Sequence, residues 1–315
     1  MSRWRVLITG PQLQRTIDAH RELLIEHEID AELPPVIQAL SEDELITALP
    51  GVHGIVAGDD PLTRAVLQTA DQLKVISKWG VGTDNIDLAA ASELGIRVMN
   101  TPGMFGDEVA DVVIGYLILL ARQLHRVDGE VRQGQWPKPE GVSLAGRTLG
   151  VVGLGHIGQA VAKRALAMGM EVMGADVSAE SAAVAQRSGV AIVDLPELLR
   201  RADVVSLNCP LTAENRHMLD ASALATMKAG AWIINTARGA LIDEDALASA
   251  LLSGRIGAAA LDVFETEPLP ASSPLRRVDQ VILGAHNGSN TAEAVHRTSV
   301  LALNNLIAGL EGRLD

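Results

Sequence analysis

Apolar residues recur along the first hundred positions in two alternating rhythms. Short β-branched runs at 5–9, 54–57, 74–78 and 97–100 have the length and composition of strands. Between them, residues 12–28, 42–49, 63–69 and 87–94 carry apolar side chains at helical spacing. Pro61 before the third of these and Gly95 after the fourth supply start and stop signals. Alternation of this kind predicts a parallel sheet covered by helices. Residues 107–124 break the rhythm, because Val109, Val113, Leu117 and Leu120 belong to a long helix that is apolar all round. That predicts burial on several sides, at a contact between domains or subunits. A polar loop with Gly134, Pro137, Pro139 and Gly141 follows. A second alternating series then starts at Arg147, with strands predicted at 148–152, 171–174, 190–193, 204–208, 232–235, 258–261 and 281–283, and a closing helix at 293–309.

The chain has 315 residues, 48% of them hydrophobic and 21% charged, which suits a globular protein of two domains. A net charge of −13 argues against nucleic acid or an anionic membrane as a partner, since both require a basic face. The longest apolar run, residues 112–121, is far short of the roughly 20 residues that span a bilayer. The first strand begins almost at residue 1, so no secretory leader is expected. Cys209 is the only cysteine, which excludes an internal disulfide and fits a reducing compartment. A cytoplasmic protein is the expectation.

The strand at 148–152 runs directly into Gly153-Leu154-Gly155-His156-Ile157-Gly158, and a helix follows. In a strand–turn–helix context the first glycine permits the tight turn and the second lets backbone approach a pyrophosphate. The third allows close helix–strand packing, and the helix N-terminus faces the phosphates. Asp176 comes 18 residues after Gly158, at the end of the next strand, where an acid accepts from the adenosine ribose hydroxyls. It would repel the 2′-phosphate of NADP, and Val177-Ser178-Ala179 supplies no cation to offset it. NAD is the expected cofactor; no metal cluster is read from the sequence.

Three later stretches put a charged residue at a predicted strand end, where open α/β sheets bind ligands. They are Asn235-Thr236-Ala237-Arg238-Gly239, Leu261-Asp262-Val263-Phe264-Glu265-Thr266-Glu267-Pro268, and Gly284-Ala285-His286-Asn287. A cation, acids and an imidazole are the parts that hydride transfer to a 2-keto acid requires: a carboxylate clamp, a proton donor and a group that tunes the donor. Together with Lys78-Trp79-Gly80-Val81-Gly82-Thr83-Asp84-Asn85-Ile86-Asp87, the glycine fingerprint and Pro210-Leu211-Thr212, these motifs resemble the D-isomer-specific 2-hydroxyacid dehydrogenases in order along nearly the whole chain. The resemblance implies that Arg238 holds the substrate carboxylate and carbonyl, a task suited to a guanidinium. It implies that His286 is the general acid in reduction and the base in oxidation, and that Glu267 orients the imidazole and favours its charged form. It further places Lys78, Val81 and Gly82 at the substrate, Asp262 at the nicotinamide carboxamide, and Val109, Cys209, Thr236 and Ala237 along the cofactor.

The chain departs from that family in places. The histidine commonly follows Thr-Pro, whereas here it follows Gly284-Ala285 and precedes Asn287. Asn208 stands where many relatives carry a second histidine, Phe105 where Asn is frequent, and Asp111 where Glu is usual. The turn Ala57-Gly58-Asp59-Asp60 carries two acids where phosphoglycerate-specific relatives carry arginines. If both face the substrate, they would disfavour a phosphate ester.

The organisation expected on this basis is an α/β fold of two Rossmann-like or flavodoxin-like domains with parallel sheets. Residues 1–100 and 286–315 form a discontinuous substrate-binding domain, and residues 101–285 form an inserted NAD-binding domain. The function expected is hydride transfer between NAD(H) and C2 of a small D-2-hydroxy or 2-keto acid, in a homodimer formed through the long helix and the polar loop after it. The alternatives are D-3-phosphoglycerate dehydrogenase proper, oxidation of formate or phosphite, and a non-enzymatic, NAD-sensing corepressor-like protein, which fold alone does not separate.

Overall fold

The computed structural model describes residues 3–313. The chain divides into two compact units, one formed by Met1–Met104 with Asn290–Asp315 and the other by Phe105–Ser289. Each is built on an all-parallel sheet, as the alternating pattern predicts.

In the first unit the strands are β1 (Trp4–Ile8), β2 (Ile29–Glu32), β3 (Gly54–Ala57), β4 (Val75–Lys78) and β5 (Arg97–Met99), in the order β2-β1-β3-β4-β5. This is the flavodoxin-like order, with the direction of winding reversing between β1 and β3. β2 was not expected from the sequence. It is an edge strand whose Asp30 and Glu32 dilute the apolar signal, and Arg5 on β1 binds Glu32 across the pair at 2.7 Å. The helix expected over 12–28 is three pieces, Pro11–Thr16, a 3₁₀ turn Ile17–His20, and Arg21–Glu26, before Glu28 takes a left-handed φ of 53°. One core gathers Leu7, Ile55, Ile76, Leu45 and Val66 on one face of the sheet. The last helix, Ala292–Glu311, packs against β3 and β4. Ser77 donates to the Ala302 carbonyl at 2.7 Å and the Trp79 indole to Ser299 at 3.0 Å. Gly309 lets the helix sit close, since a Cβ there would lie 2.5 Å from Val75 Cγ2.

The second unit contains β6 (Thr148–Val152), β7 (Glu171–Ala175), β8 (Ala191–Ile192), β9 (Val204–Leu207), β10 (Ala231–Asn235), β11 (Ile256–Leu261) and β12 (Val281–Leu283), in the order β12-β11-β10-β9-β6-β7-β8. That is the dinucleotide-binding order extended by one strand, and its winding reverses between β6 and β9. Cores lie on both faces, one around Leu198, Val205, Ile233 and Leu247, the other around Leu149, Val161, Val204 and Leu117.

The long helix runs over Gly106–Arg122 and lies on helix His156–Ala167, where Arg164 pairs with Asp107 at 2.9 Å and Asp111 at 2.8 Å. Its fully buried residues, Val109, Ala110, Val113, Leu117 and Ala121, form a single stripe. The all-round burial expected from its composition is therefore not met within the unit, and Ile118 is 37% exposed. Gln123 takes a left-handed φ of 52°, and an unanticipated second helix follows at Leu124–Arg132, with none of its residues buried.

Candidate active site

The glycine turn lies where β6 and β9 part. Gly153, at φ 88°, passes so close to the end of β9 that a Cβ would stand 2.6 Å from the Cys209 amide nitrogen. A Cβ on Gly158 would penetrate the Gly153 carbonyl, so the helix His156–Ala167 can seat against the turn only with glycine there. Gly155 has open space at its Cβ position, and Gly155 and His156 are exposed at the helix start, with Ile157 half-buried behind them. The Asp176 carboxylate, at the end of β7, accepts the Leu154 amide at 2.5 Å and the Ser178 amide at 2.6 Å. It therefore also braces the glycine turn, a second duty that the ribose assignment did not include.

The fit of a dinucleotide can be judged from polar atoms along this crevice. Thr236 Oγ1, after β10, and Asn208 Oδ1, after β9, are buried with no hydrogen-bond partner, a costly state that a ligand would relieve. Ala237 lies beside Thr236, its amide held by Asn235 Oδ1 at 3.0 Å. Cys209 packs against the core that includes Leu207, and burial pushes its thiol up to about 11. Val109 is buried near Gly288. Turn, helix N-terminus, brace and orphaned hydroxyl match the shape and polarity of NAD.

The acid–base candidates occupy the adjacent ends of β10, β11 and β12. Asn235 braces the Arg238 turn by donating to the Arg238 carbonyl at 2.8 Å. Gly239 presses against the Phe264 backbone, where a Cβ would collide, so the Arg238 turn rides directly on the loop that follows β11. In that loop Glu267 Oε1 accepts the Phe264 amide at 2.9 Å, and Oε2 meets His286 Nδ1 at 2.7 Å. The side chains of His286 and Glu267 are 25% and 19% exposed. The dyad is thus largely shielded from water. With Nδ1 held by the carboxylate, any proton exchange by the ring would run through Nε2. His286 has φ 49°, a left-handed conformation rare for a side chain-bearing residue and the mark of a loop held in place by its surroundings. Asp262, 2% exposed, supplies that hold: its Oδ2 accepts the amides of Asn287 at 3.0 Å and Gly288 at 2.8 Å, and its carbonyl accepts the His286 amide at 2.6 Å. An ionised carboxylate has about four acceptor sites, so contact with a carboxamide is still open to it.

The first unit carries the other predicted site residues, on the turns after β1, β3 and β4. Asp60 is fully buried and accepts from the Thr9 hydroxyl, from the Gly58 amide at 2.9 Å and from the Leu40 amide at 2.8 Å. Burial raises its pKa, against the pull of these donors and of Lys78. It closes the parting of β1 and β3. The Lys78 ammonium is buried too, bound to the Gly58 carbonyl and to Asp59 at 2.8 Å. The expectation that Asp59 and Asp60 repel a phosphate is corrected by this network: one acid is internal, and the other is matched by a lysine. Val81 is 43% exposed, and Gly82 follows it in a turn set by Gly80 at φ 143°, with Asn100 donating to the Val81 carbonyl at 2.7 Å. Sequence reasoning missed Tyr116, whose hydroxyl reaches Asp262, and Asn235 as a brace. The second was visible inside its motif; the first had no signal beyond being the only tyrosine.

Residues 114–288 match the model of the D-isomer-specific 2-hydroxyacid dehydrogenase NAD-binding domain. Over 314 residues the chain is 39% identical to a D-3-phosphoglycerate dehydrogenase of Methanocaldococcus jannaschii, covering 98% of this chain but only 58% of that one, so it spans little more than half of that relative's length. It is 38% identical to a hydroxypyruvate reductase of Thermotoga maritima, covering 95% of this chain and 96% of that one. The D-lactate dehydrogenase of Aquifex aeolicus, solved with NAD and lactic acid, superposes with a TM-score of 0.86 at 28% identity, over 98% of this chain and 96% of that one. The chain belongs to the D-isomer-specific 2-hydroxyacid dehydrogenases and is an NAD-dependent oxidoreductase of that family.

Proposed function

We propose that the protein interconverts a small, unphosphorylated D-2-hydroxy acid and its 2-keto acid, of the glyoxylate or hydroxypyruvate type, as a cytoplasmic homodimer. The second unit, with 101–285 as the expected span, serves as the NAD domain, and the first as the substrate domain. The observation that carries the reading is the Glu267–His286 pair beside the braced Arg238 turn. Arg238 clamps the carboxylate and polarises the ketone; the turn at Val81 and Gly82 is assigned to the carboxylate as well. When bound, NAD would supply or remove the hydride at C2. His286 Nε2 delivers the proton to the new alkoxide in reduction and takes it back in oxidation, while Glu267 stabilises the charged ring. Lys78 is assigned to the framework of the turn. Asp176 holds the ribose, Asp262 the carboxamide, and Thr236, Ala237, Cys209 and Val109 line the cofactor.

Support for an unphosphorylated substrate is the absence of arginine from the 57–60 turn and the use of Lys78 within it. The match to a hydroxypyruvate reductase over nearly the full length of both chains agrees. A phosphoglycerate reading is favoured by the 39% identity to the M. jannaschii protein. NADH oxidation measured with glyoxylate, hydroxypyruvate, pyruvate and 3-phosphohydroxypyruvate decides between them. The expected result is the highest kcat/KM among the first three. A clear preference for the phosphorylated compound would overturn the proposal. Arg238→Lys should lower kcat/KM by about a hundredfold, through loss of the bidentate clamp.

A further inference from the structure

Tyr116 lies in the middle of the apolar helix Gly106–Arg122, where nothing in the sequence marks it. Its hydroxyl leaves the helix for the end of β11 and donates to Asp262 Oδ1 at 3.3 Å. Burial, and then the Asp262 charge and hydrogen bond, push the phenol far above its ordinary range, so it stays a donor at any working pH. Asp262 in turn holds the main chain of three successive residues, His286, Asn287 and Gly288. The helix is thereby linked through one carboxylate to the loop that carries the left-handed histidine.

Gly284 completes the arrangement. A Cβ at this position would fall well inside contact distance of both the Tyr116 hydroxyl and Asp262 Oδ1, and 2.9 Å from Asp262 Cα. The tyrosine hydroxyl thus stands in the volume that a side chain at 284 would fill.

We infer that Tyr116 and Gly284 are a matched pair of positioning residues: the hydroxyl of one, entering the space left by the other, completes the donor set that holds Asp262 and, through it, the His286 loop. The inference rests on the acid–base reading of His286 given above. Tyr116 touches neither reacting atom and acts through Asp262, so its loss should slow the chemical step and leave substrate capture by Arg238 intact. Asp262, Glu267 and Tyr116 are among the titratable groups that face the loop in this unit, and a change at 116 leaves the side chains of the other two in place.

The test uses the full chain with Tyr116→Phe, Gly284→Ala, the two combined, and His286→Gln. Tyr116→Phe is close to isosteric and carries the decision should Gly284→Ala fail to fold. Steady-state reduction of the preferred keto acid gives kcat and KM, and amide hydrogen exchange of residues 286–288 without cofactor gives a readout that does not depend on turnover. The expected result for Tyr116→Phe is a kcat lower by about tenfold, a KM within about twofold of the parent, and exchange at Asn287 and Gly288 faster by about tenfold or more. Gly284→Ala should do the same, and the double variant should cost less than the two single changes summed, because Tyr116→Phe removes one of the groups that the new Cβ would meet. Parental kcat and exchange in Tyr116→Phe would overturn the inference, and strictly additive costs would overturn the pairing. If His286→Gln retained kcat, the acid–base reading would fall, and the exchange rates alone would then decide whether the clamp exists.

Discussion

At the residue scale, identity and neighbourhood often separate. Arg238, Glu267 and His286 stand out in the sequence as candidates because each sits in a motif at a strand end, and the structure brings Glu267 and His286 into contact. Asp60 was not legible as an internal acid, because a charge beside a predicted turn looks solvated. It is instead consumed, with Lys78 nearby, by a buried network that only the parting of β1 and β3 creates. Tyr116 was invisible, since a phenol in an apolar helix run gives no hint of which strand end it will meet. Cys209 shows how burial decides reactivity. Its thiol is raised to about 11, first by burial, with the nearby Asp176 charge also raising it and a backbone hydrogen bond opposing. The nucleophile is the thiolate, so at pH 8 only about one part in a thousand is reactive. Iodoacetamide labelling of the native protein should therefore be slow at pH 8 and rise about tenfold per pH unit up to about pH 11. Rapid labelling at neutral pH would show that the thiol is not packed as described.

Elements with an unbroken apolar period were read correctly, and those governed by an edge or a single backbone twist were not. β3, β4, β6 and β9, buried throughout, appear in the sequence as continuous apolar runs. β2 did not, because an edge strand keeps one flank in water and tolerates Asp30 and Glu32. The ends of two helices turn on a non-glycine residue with positive φ, Glu28 and Gln123, a conformation that composition does not signal. The glycine turn was legible as a motif, yet its attachment to β7 was not. Asp176 joins the two by accepting the Leu154 and Ser178 amides. Asp176→Ala should accordingly do two things: narrow the preference for NAD over NADP by removing a charge that repels the 2′-phosphate, and weaken NADH binding by about tenfold by loosening the turn. Parallel measurements of kcat/KM with NADH and NADPH and of NADH affinity separate the effects. An unchanged cofactor ratio would refute the ribose role, and unchanged NADH affinity would refute the brace.

At the scale of the whole molecule, the two sheets were legible as a repeated alternation, but only the second announces its ligand, because the glycine turn occurs in that half alone. The isolated chain leaves an apolar surface exposed. Ile118 and Leu124 are 37% and 46% exposed, Val131 is 41% and Trp136 is 80%, all within one stretch of the second unit, and helix Leu124–Arg132 buries none of its residues against its own chain. A short helix with no buried face has little to hold it in isolation, since packing of an apolar stripe supplies most helical stability. A second copy of the same surface would cover these side chains, and a twofold arrangement makes one patch serve both sides. Such a contact would account for the all-round apolarity of the preceding helix, which the fold of one chain leaves partly unmet. Sedimentation at micromolar concentration should show a dimer, and Val131→Glu combined with Trp136→Glu should convert it to monomer, because two charges placed in an apolar contact meet their own copies across the axis. Monomer alone in the parent protein would remove the interface, and a dimer that survives both substitutions would place it elsewhere.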